Sequence, residues 1–154
     1  MTAAACTRGA EGQALLSAPS FPLVDAVRMR EMDRRTIEDL GTPSLTLMER
    51  AGQGIVRVLA LRFAPLTRRE IVVVCGKGNN GGDGLVVARL LRARGLWPRV
   101  ILTAPMAELS TDARVNAERA RSAGLSFELG DPERSLGALS SRDLVLDALL
   151  GTGL

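Results

Sequence analysis

The sequence predicts a doubly wound α/β domain: a parallel sheet with helices on both faces, preceded by an N-terminal helical pair. Three observations predict it. From residue 70 onward, short apolar runs alternate with amphipathic stretches. The connections between them are short, as in sheets built from crossover units. Finally, 154 residues with 46% hydrophobic and 24% charged content suit one ordinary globular domain.

Each element has its own signal. Residues 1–22 are small and polar and read as a flexible leader, which leaves 23–154 as the domain. In 25–40, Val27, Met29, Met32, Ile37 and Leu40 form a broad apolar stripe, with Asp25 as N-cap and Gly41 as stop. A second helix starts after Thr42-Pro43, with Ser44 as N-cap, and runs toward the break at Pro65. Gly52 and Gly54 inside it cost roughly 1 kcal/mol each, so both are expected to permit close packing. Glu70–Cys75 is a nearly continuous apolar run, the mark of a strand buried on both faces. A Gly/Asn loop leads into the helix from Asp83, ended by Gly95, and Arg99–Thr103 is the second strand. Residues 110–123 form a polar helix stopped by Gly124, and 126–129 a weak edge strand. A short helix at 132–139 and a strand at 143–150 complete the pattern. The last residues, Gly151-Thr152-Gly153-Leu154, fall in a loop beyond a strand's carboxyl end, so the chain reads as a domain truncated at its C-terminus.

Composition excludes several functions. With no His or Tyr, a Ser-His-Asp triad and a His-ligated zinc site cannot form within this chain. Cys6 and Cys75 make neither a disulfide framework nor a CxxC pair, and Cys75 reads as core. Of twenty basic residues nineteen are arginines spread beside acidic ones, so the net charge of +3 describes no nucleic-acid stripe. No run approaches the ~18–20 apolar residues of a membrane span, and no secretory signal opens the chain; a cytoplasmic protein is expected.

The chemistry concentrates in two loops. After the first strand comes Gly76-Lys77-Gly78-Asn79-Asn80-Gly81-Gly82-Asp83-Gly84. Gly76, Gly78 and Gly81 satisfy a dinucleotide-binding G-x-G-x-x-G in a Rossmann-like setting. Yet the next strand ends in Leu102-Thr103-Ala104-Pro105, without the carboxylate that holds a ribose. A P-loop is likewise absent. Five glycines in nine positions are expected to allow positive φ and close ligand approach. The carboxamides of Asn79 and Asn80 offer donors and acceptors, or serve as turn residues. Asp83 favours the start of a helix, as N-cap or ligand contact, and Lys77 reads mainly as a solvated loop lysine. The second loop follows Asp147, a carboxylate in an otherwise apolar run that should need a cation, donors or a raised pKa. With Gly151-Thr152-Gly153 beyond it, the two loops should bracket a site for a polyphosphate-bearing ligand.

These residues carry a resemblance. G-x-G-N-N-G-G-D-G after a strand, with D-A-L-L-G-T-G-L downstream and EMDRRTIEDLGTPSLTLMERAG upstream, resembles the NAD(P)H-hydrate epimerase family, the YjeF N-terminal domain. The resemblance covers about 23–154. It implies an isomerase that interconverts the R and S forms of hydrated NADH and NADPH, a repair step feeding an ATP- or ADP-dependent dehydratase, fused or separate. It implies that Asn79, Asn80, Gly81, Gly82 and Asp83 contact substrate, that Asn80 and Asp147 help hold a potassium ion, and that Gly151, Thr152, Gly153 and Leu154 begin a phosphate-contacting loop. Carboxamide and carboxylate oxygens are hard ligands suited to such a cation. Asp147 is the expected acid–base residue. The family's domain continues past this loop with further strands and ligands, so the chain alone is expected to bind weakly and not to turn over. Two other readings compete: a non-catalytic binding or dimerisation module on the same fold, and an ordinary NAD-dependent dehydrogenase. A homodimer through helices 25–40 and 44–63 and core packing within one chain explain the same apolar stripe equally.

Overall fold

A computed structural model describes residues 23–130 and 139–151. The elements are α1 (Ala26–Glu38), α2 (Ser44–Arg62), β1 (Ile71–Cys75), α3 (Asn79–Ala93), β2 (Arg99–Leu102), α4 (Thr111–Ser122), β3 (Phe127–Leu129) and β4 (Leu144–Ala148). The short helix expected at 132–139 falls almost wholly outside the described residues.

The strands lie in the order β3-β2-β1-β4 and every pairing is parallel. β1 is central, and all five of its residues are buried, as its unbroken apolar run requires. Ile71, Val73 and Cys75 face α2, α3 and α4 in one core with Leu85, Leu91 and Ala117. Val72, Val74 and Ile101 face the opposite side, where Leu139 and Leu149 pack on them. Among the described residues the helical layer therefore covers one face. Burial pushes the Cys75 thiol up to about 12, so this cysteine is inert core, as expected. No described helix is long and apolar enough to cross a membrane.

The caps agree with the sequence at most ends. Asp25 accepts the Arg28 backbone N–H at 2.7 Å, and Gly41, Gly95 and Gly124 end helices with φ of +65°, +81° and +87°. Ser44 is different: it is the first residue of α2, and the cap position falls to Pro43, which makes no side-chain cap hydrogen bond. The two α2 glycines also divide. A side chain on Gly52 would collide with Val86, whereas Gly54 faces open space and has no packing role. α1 buries none of its residues. Its exposed surface carries ion pairs within the helix, Arg34 to Glu31 at 2.9 Å and to Glu38 at 2.7 Å, which add modestly to its helicity.

Candidate active site

Strand order places the site. From β1 the chain steps outward to β2 and β3, then returns to the other side of β1 for β4. The carboxyl ends of β1 and β4 thus form a topological switch point, where open α/β sheets bind ligands.

The glycine segment folds differently from expectation there. The turn is only Gly76-Lys77-Gly78, and α3 begins at Asn79, so Asp83 lies inside the helix rather than at its cap. None of the five glycines has positive φ. Their reason is close approach of the protein to itself. A Cβ on Gly81 would overlap the Gly76 carbonyl, and one on Gly76 the Leu149 carbonyl. On Gly84 it would fall 2.7 Å from the Ala148 Cβ. Small residues thus let the first turns of α3 sit directly on the ends of β1 and β4.

Hydrogen bonds then lock the two loops together. The Asn80 Nδ2 donates to the Leu150 carbonyl at 2.8 Å, and the Gly76 N–H to the Ala148 carbonyl at 3.0 Å. On the other side Ser110 donates through Oγ to Asn79 Oδ1 at 2.9 Å and through its N–H to the Lys77 carbonyl at 2.8 Å. Ser110 also caps α4, so one residue fixes a helix start and the glycine turn at once.

The result is a cleft of about 650 Å³ with three walls. Lys77, Gly78, Asn79, Asn80 and Asp83 form the first, Leu149, Leu150 and Gly151 the second, and Met29, Arg30 and Asp33 of α1 the third. The structure thus brings Asn79, Asn80, Asp83 and Gly151 together as the sequence predicts, with Gly81 and Gly82 buried behind them. Thr152, Gly153 and Leu154 lie outside the described residues. The α1 wall is new. Its signal was the spacing of Met29 and Asp33, one helical turn apart, but nothing local says what that side of α1 meets.

The two carboxylates exchange character. Asp83 lines the cleft, and its pKa is pushed up to about 6 by burial first and then by the nearby Asp33 carboxylate. Asp147 was expected to be buried and costly. It is exposed, in register beside Val74 on the sheet face away from α3, and its carboxylate accepts the Leu149 N–H at 2.9 Å. It does not line the cleft. Leu146 and Ala148, adjacent to it in the strand, point to the opposite face, and Asp147 itself is exposed, so burial calls for no cation here. Among the described residues no group of three or more His, Cys, Asp or Glu could hold a metal ion. Hard oxygen donors do exist at the loop junction, in the Asn80 carboxamide and the Leu150 carbonyl, and these suit an alkali cation.

The family model described as YjeF-related protein N-terminus matches residues 44–154. The chain belongs to this family. The YjeF N-terminal relatives include an NAD(P)H-hydrate epimerase of Rhodopirellula baltica, 36% identical over 86% of this chain and 53% of that protein. Another, of Rhodobacter capsulatus, is 41% identical over 82% of this chain and 60% of that protein. A bifunctional NAD(P)H-hydrate repair enzyme of Salinibacter ruber is 43% identical over 86% of this chain but 27% of its own length. The chain thus spans between about a quarter and three fifths of these relatives. The crystal structure of yeast ynu0 shares the fold, with a TM-score of 0.75 over 87% of this chain and 58% of that one, at 24% identity.

Proposed function

We propose that this chain carries the epimerase unit of NAD(P)H-hydrate repair, an isomerase acting on the R and S forms of hydrated NADH and NADPH. The observation behind the proposal is the convergence of Asn79, Asn80, Asp83 and Gly151 on one cleft at the switch point, in a chain of this family. Arg30 and Lys77 on the same cleft supply positive charge for the pyrophosphate.

The reacting carbon of the substrate carries a hydroxyl beside a ring nitrogen. Of the two carboxyls that line the cleft, Asp33 and Asp83, Asp83 is assigned the proton transfer, because it comes from the glycine segment and burial pushes its pKa up to about 6. In its protonated form it donates to the hydroxyl oxygen as the C–O bond breaks and water leaves, while the ring nitrogen lone pair stabilises the cationic carbon. Water then adds to the opposite face and gives its proton to solvent, from which Asp83 is reprotonated. Protons, electrons and water all balance. A potassium ion is proposed at the loop junction, where the Asn80 carboxamide and the Leu150 carbonyl would hold it and it would supply positive charge for the phosphates. Asp147, off the cleft and on the opposite sheet face, is assigned neither the proton transfer nor that ion. A homodimer is proposed through exposed apolar residues of α1 and α2, among them Val27, Leu40, Val58 and Leu61. A dehydratase, fused or separate, is the proposed consumer of the product, supported by the relatives named bifunctional.

The test is chromatographic S/R interconversion of hydrated NADH by the full-length protein in potassium buffer. Acceleration over the spontaneous rate is expected, with loss in folded Asp83→Asn and Asn80→Ala variants. No acceleration by a folded full-length protein sinks the proposal and favours a non-catalytic binding module.

A further inference from the structure

Asn79 and Asn80 stand side by side on the cleft, yet their carboxamides are set in opposite senses. The Asn80 Nδ2 donates to the Leu150 carbonyl at 2.8 Å, which anchors its amino end and leaves the Oδ1 end for a ligand. In Asn79 it is Oδ1 that is anchored, accepting from Ser110 Oγ at 2.9 Å, which leaves the Nδ2 end. Neighbouring residues of one type thus present an acceptor and a donor.

Ser110 sets the sense of Asn79. It lies off the cleft, at the start of α4 beyond β2. Its backbone N–H donates to the Lys77 carbonyl at 2.8 Å, which ties the serine to the glycine turn. Its Oγ accepts the Ala113 N–H at 3.4 Å as the cap of α4. The hydroxyl has one proton to give, and the Asn79 Oδ1 takes it. Asn79 is exposed, and the terminal torsion of a carboxamide is broad and roughly two-fold. Without such a bond, either end of it could face the ligand.

We infer that Ser110 is a positioning residue for the cleft. It holds Asn79 so that the amino group meets the ligand, and this point of the wall selects an oxygen that accepts a hydrogen bond. The inference rests on the epimerase reading and deepens it. Hydrated NADH carries such oxygens in its pyrophosphate and in its ring carboxamide. With Asn79 turned over, two acceptor oxygens would face each other, and both would lose water without gaining a partner. The selectivity of a site on β1 and β4 is thereby set in part from the β2 side of the sheet, by a residue that touches no substrate.

The experiment uses the full-length protein, with hydrated NADH and ADP-ribose as separate probes in titration calorimetry, alongside the epimerisation rate. Ser110→Asp keeps an N-cap acceptor for α4 but has no proton to give, whereas Ser110→Thr keeps the hydroxyl. The Asp variant should unfold at the wild-type midpoint or above, yet bind hydrated NADH about three- to tenfold more weakly. The Thr variant should stay within about twofold of wild type. A parallel loss for ADP-ribose assigns the accepting oxygen to the pyrophosphate side of the ligand; an unchanged ADP-ribose affinity assigns it to the ring carboxamide. In an Asn79→Ala background Ser110→Asp should cost nothing further, because Ser110 acts through Asn79. An equal loss in both backgrounds would show a general structural effect and overturn the inference. Before any ligand is added, the Asn79 side-chain amide signals in NMR should move downfield in the Asp variant, as Nδ2 takes the new carboxylate. Signals that stay in place there contradict the inference. A wild-type protein that neither binds nor epimerises hydrated NADH removes the epimerase reading; one that does both, with Ser110→Asp equal to it, removes the inference alone.

Discussion

At the scale of single residues, Asp83 and Asp147 show how environment separates two like side chains. Asp83 sits above its ordinary 3.8, at about 6, because burial and the Asp33 charge both disfavour its ionised form. The folded state then binds more protons than the unfolded chain between those values. The stabilisation is therefore complete below about 4 and is lost as pH rises through about 6. Asp83→Asn should flatten that slope and raise stability at pH 7 by about 1–2 kcal/mol, below the full value of the shift because water still reaches the carboxyl. Urea unfolding of both proteins at pH 4 and pH 7 measures this, and an unchanged difference between the two pH values would contradict it. In the same variant epimerisation should fall by about 10²-fold or more. Asp33→Asn should lower the Asp83 pKa only part of the way, since burial is the larger cause; an NMR titration of the Asp83 carboxyl reads it directly. The convergence of Asn79, Asn80 and Asp83 at the end of β1 was legible in the sequence. The exposure of Asp147 was not: an acidic residue among leucines looks buried until one knows that its own side of β4 faces away from the helices.

At the scale of elements, the start of α3 is the instructive place. Glycine and asparagine are poor helix formers, so local propensity places a loop through residue 82. Tertiary packing overrides it, because only residues without side chains allow the helix to rest on the β1 and β4 ends. Gly81→Ala should therefore destabilise by about 1–3 kcal/mol and loosen the cleft, since the obstructing atoms are backbone that can yield only by moving α3. Gly54→Ala, in open space on α2, should instead stabilise by about 0.5–1 kcal/mol. Thermal unfolding of the pair checks both, and a shared sign would refute the packing account. The strands were easier to read. Five consecutive apolar residues between turn signals admit little besides a central strand, and β1 is buried throughout.

At the scale of the whole molecule, what remains open to solvent governs assembly. Leu61 is 73% exposed and Val58 54%, on a helix whose other side is core. If a second copy covers them, Leu61→Glu should shift sedimentation toward the monomer without lowering the unfolding midpoint at low protein concentration. The sequence by itself determined the order of helices and strands, the parallel sheet, the central strand and the composition of the glycine loop. These follow from the spacing of apolar residues and from turn chemistry, both of which act within a few residues. Only the tertiary structure decided that β4 returns beside β1, that α1 forms the third wall of the cleft, and that Asp83 rather than Asp147 faces it. Periodicity tells which side of an element seeks cover, but the partner that supplies the cover comes from distant chain, through packing that no local pattern encodes.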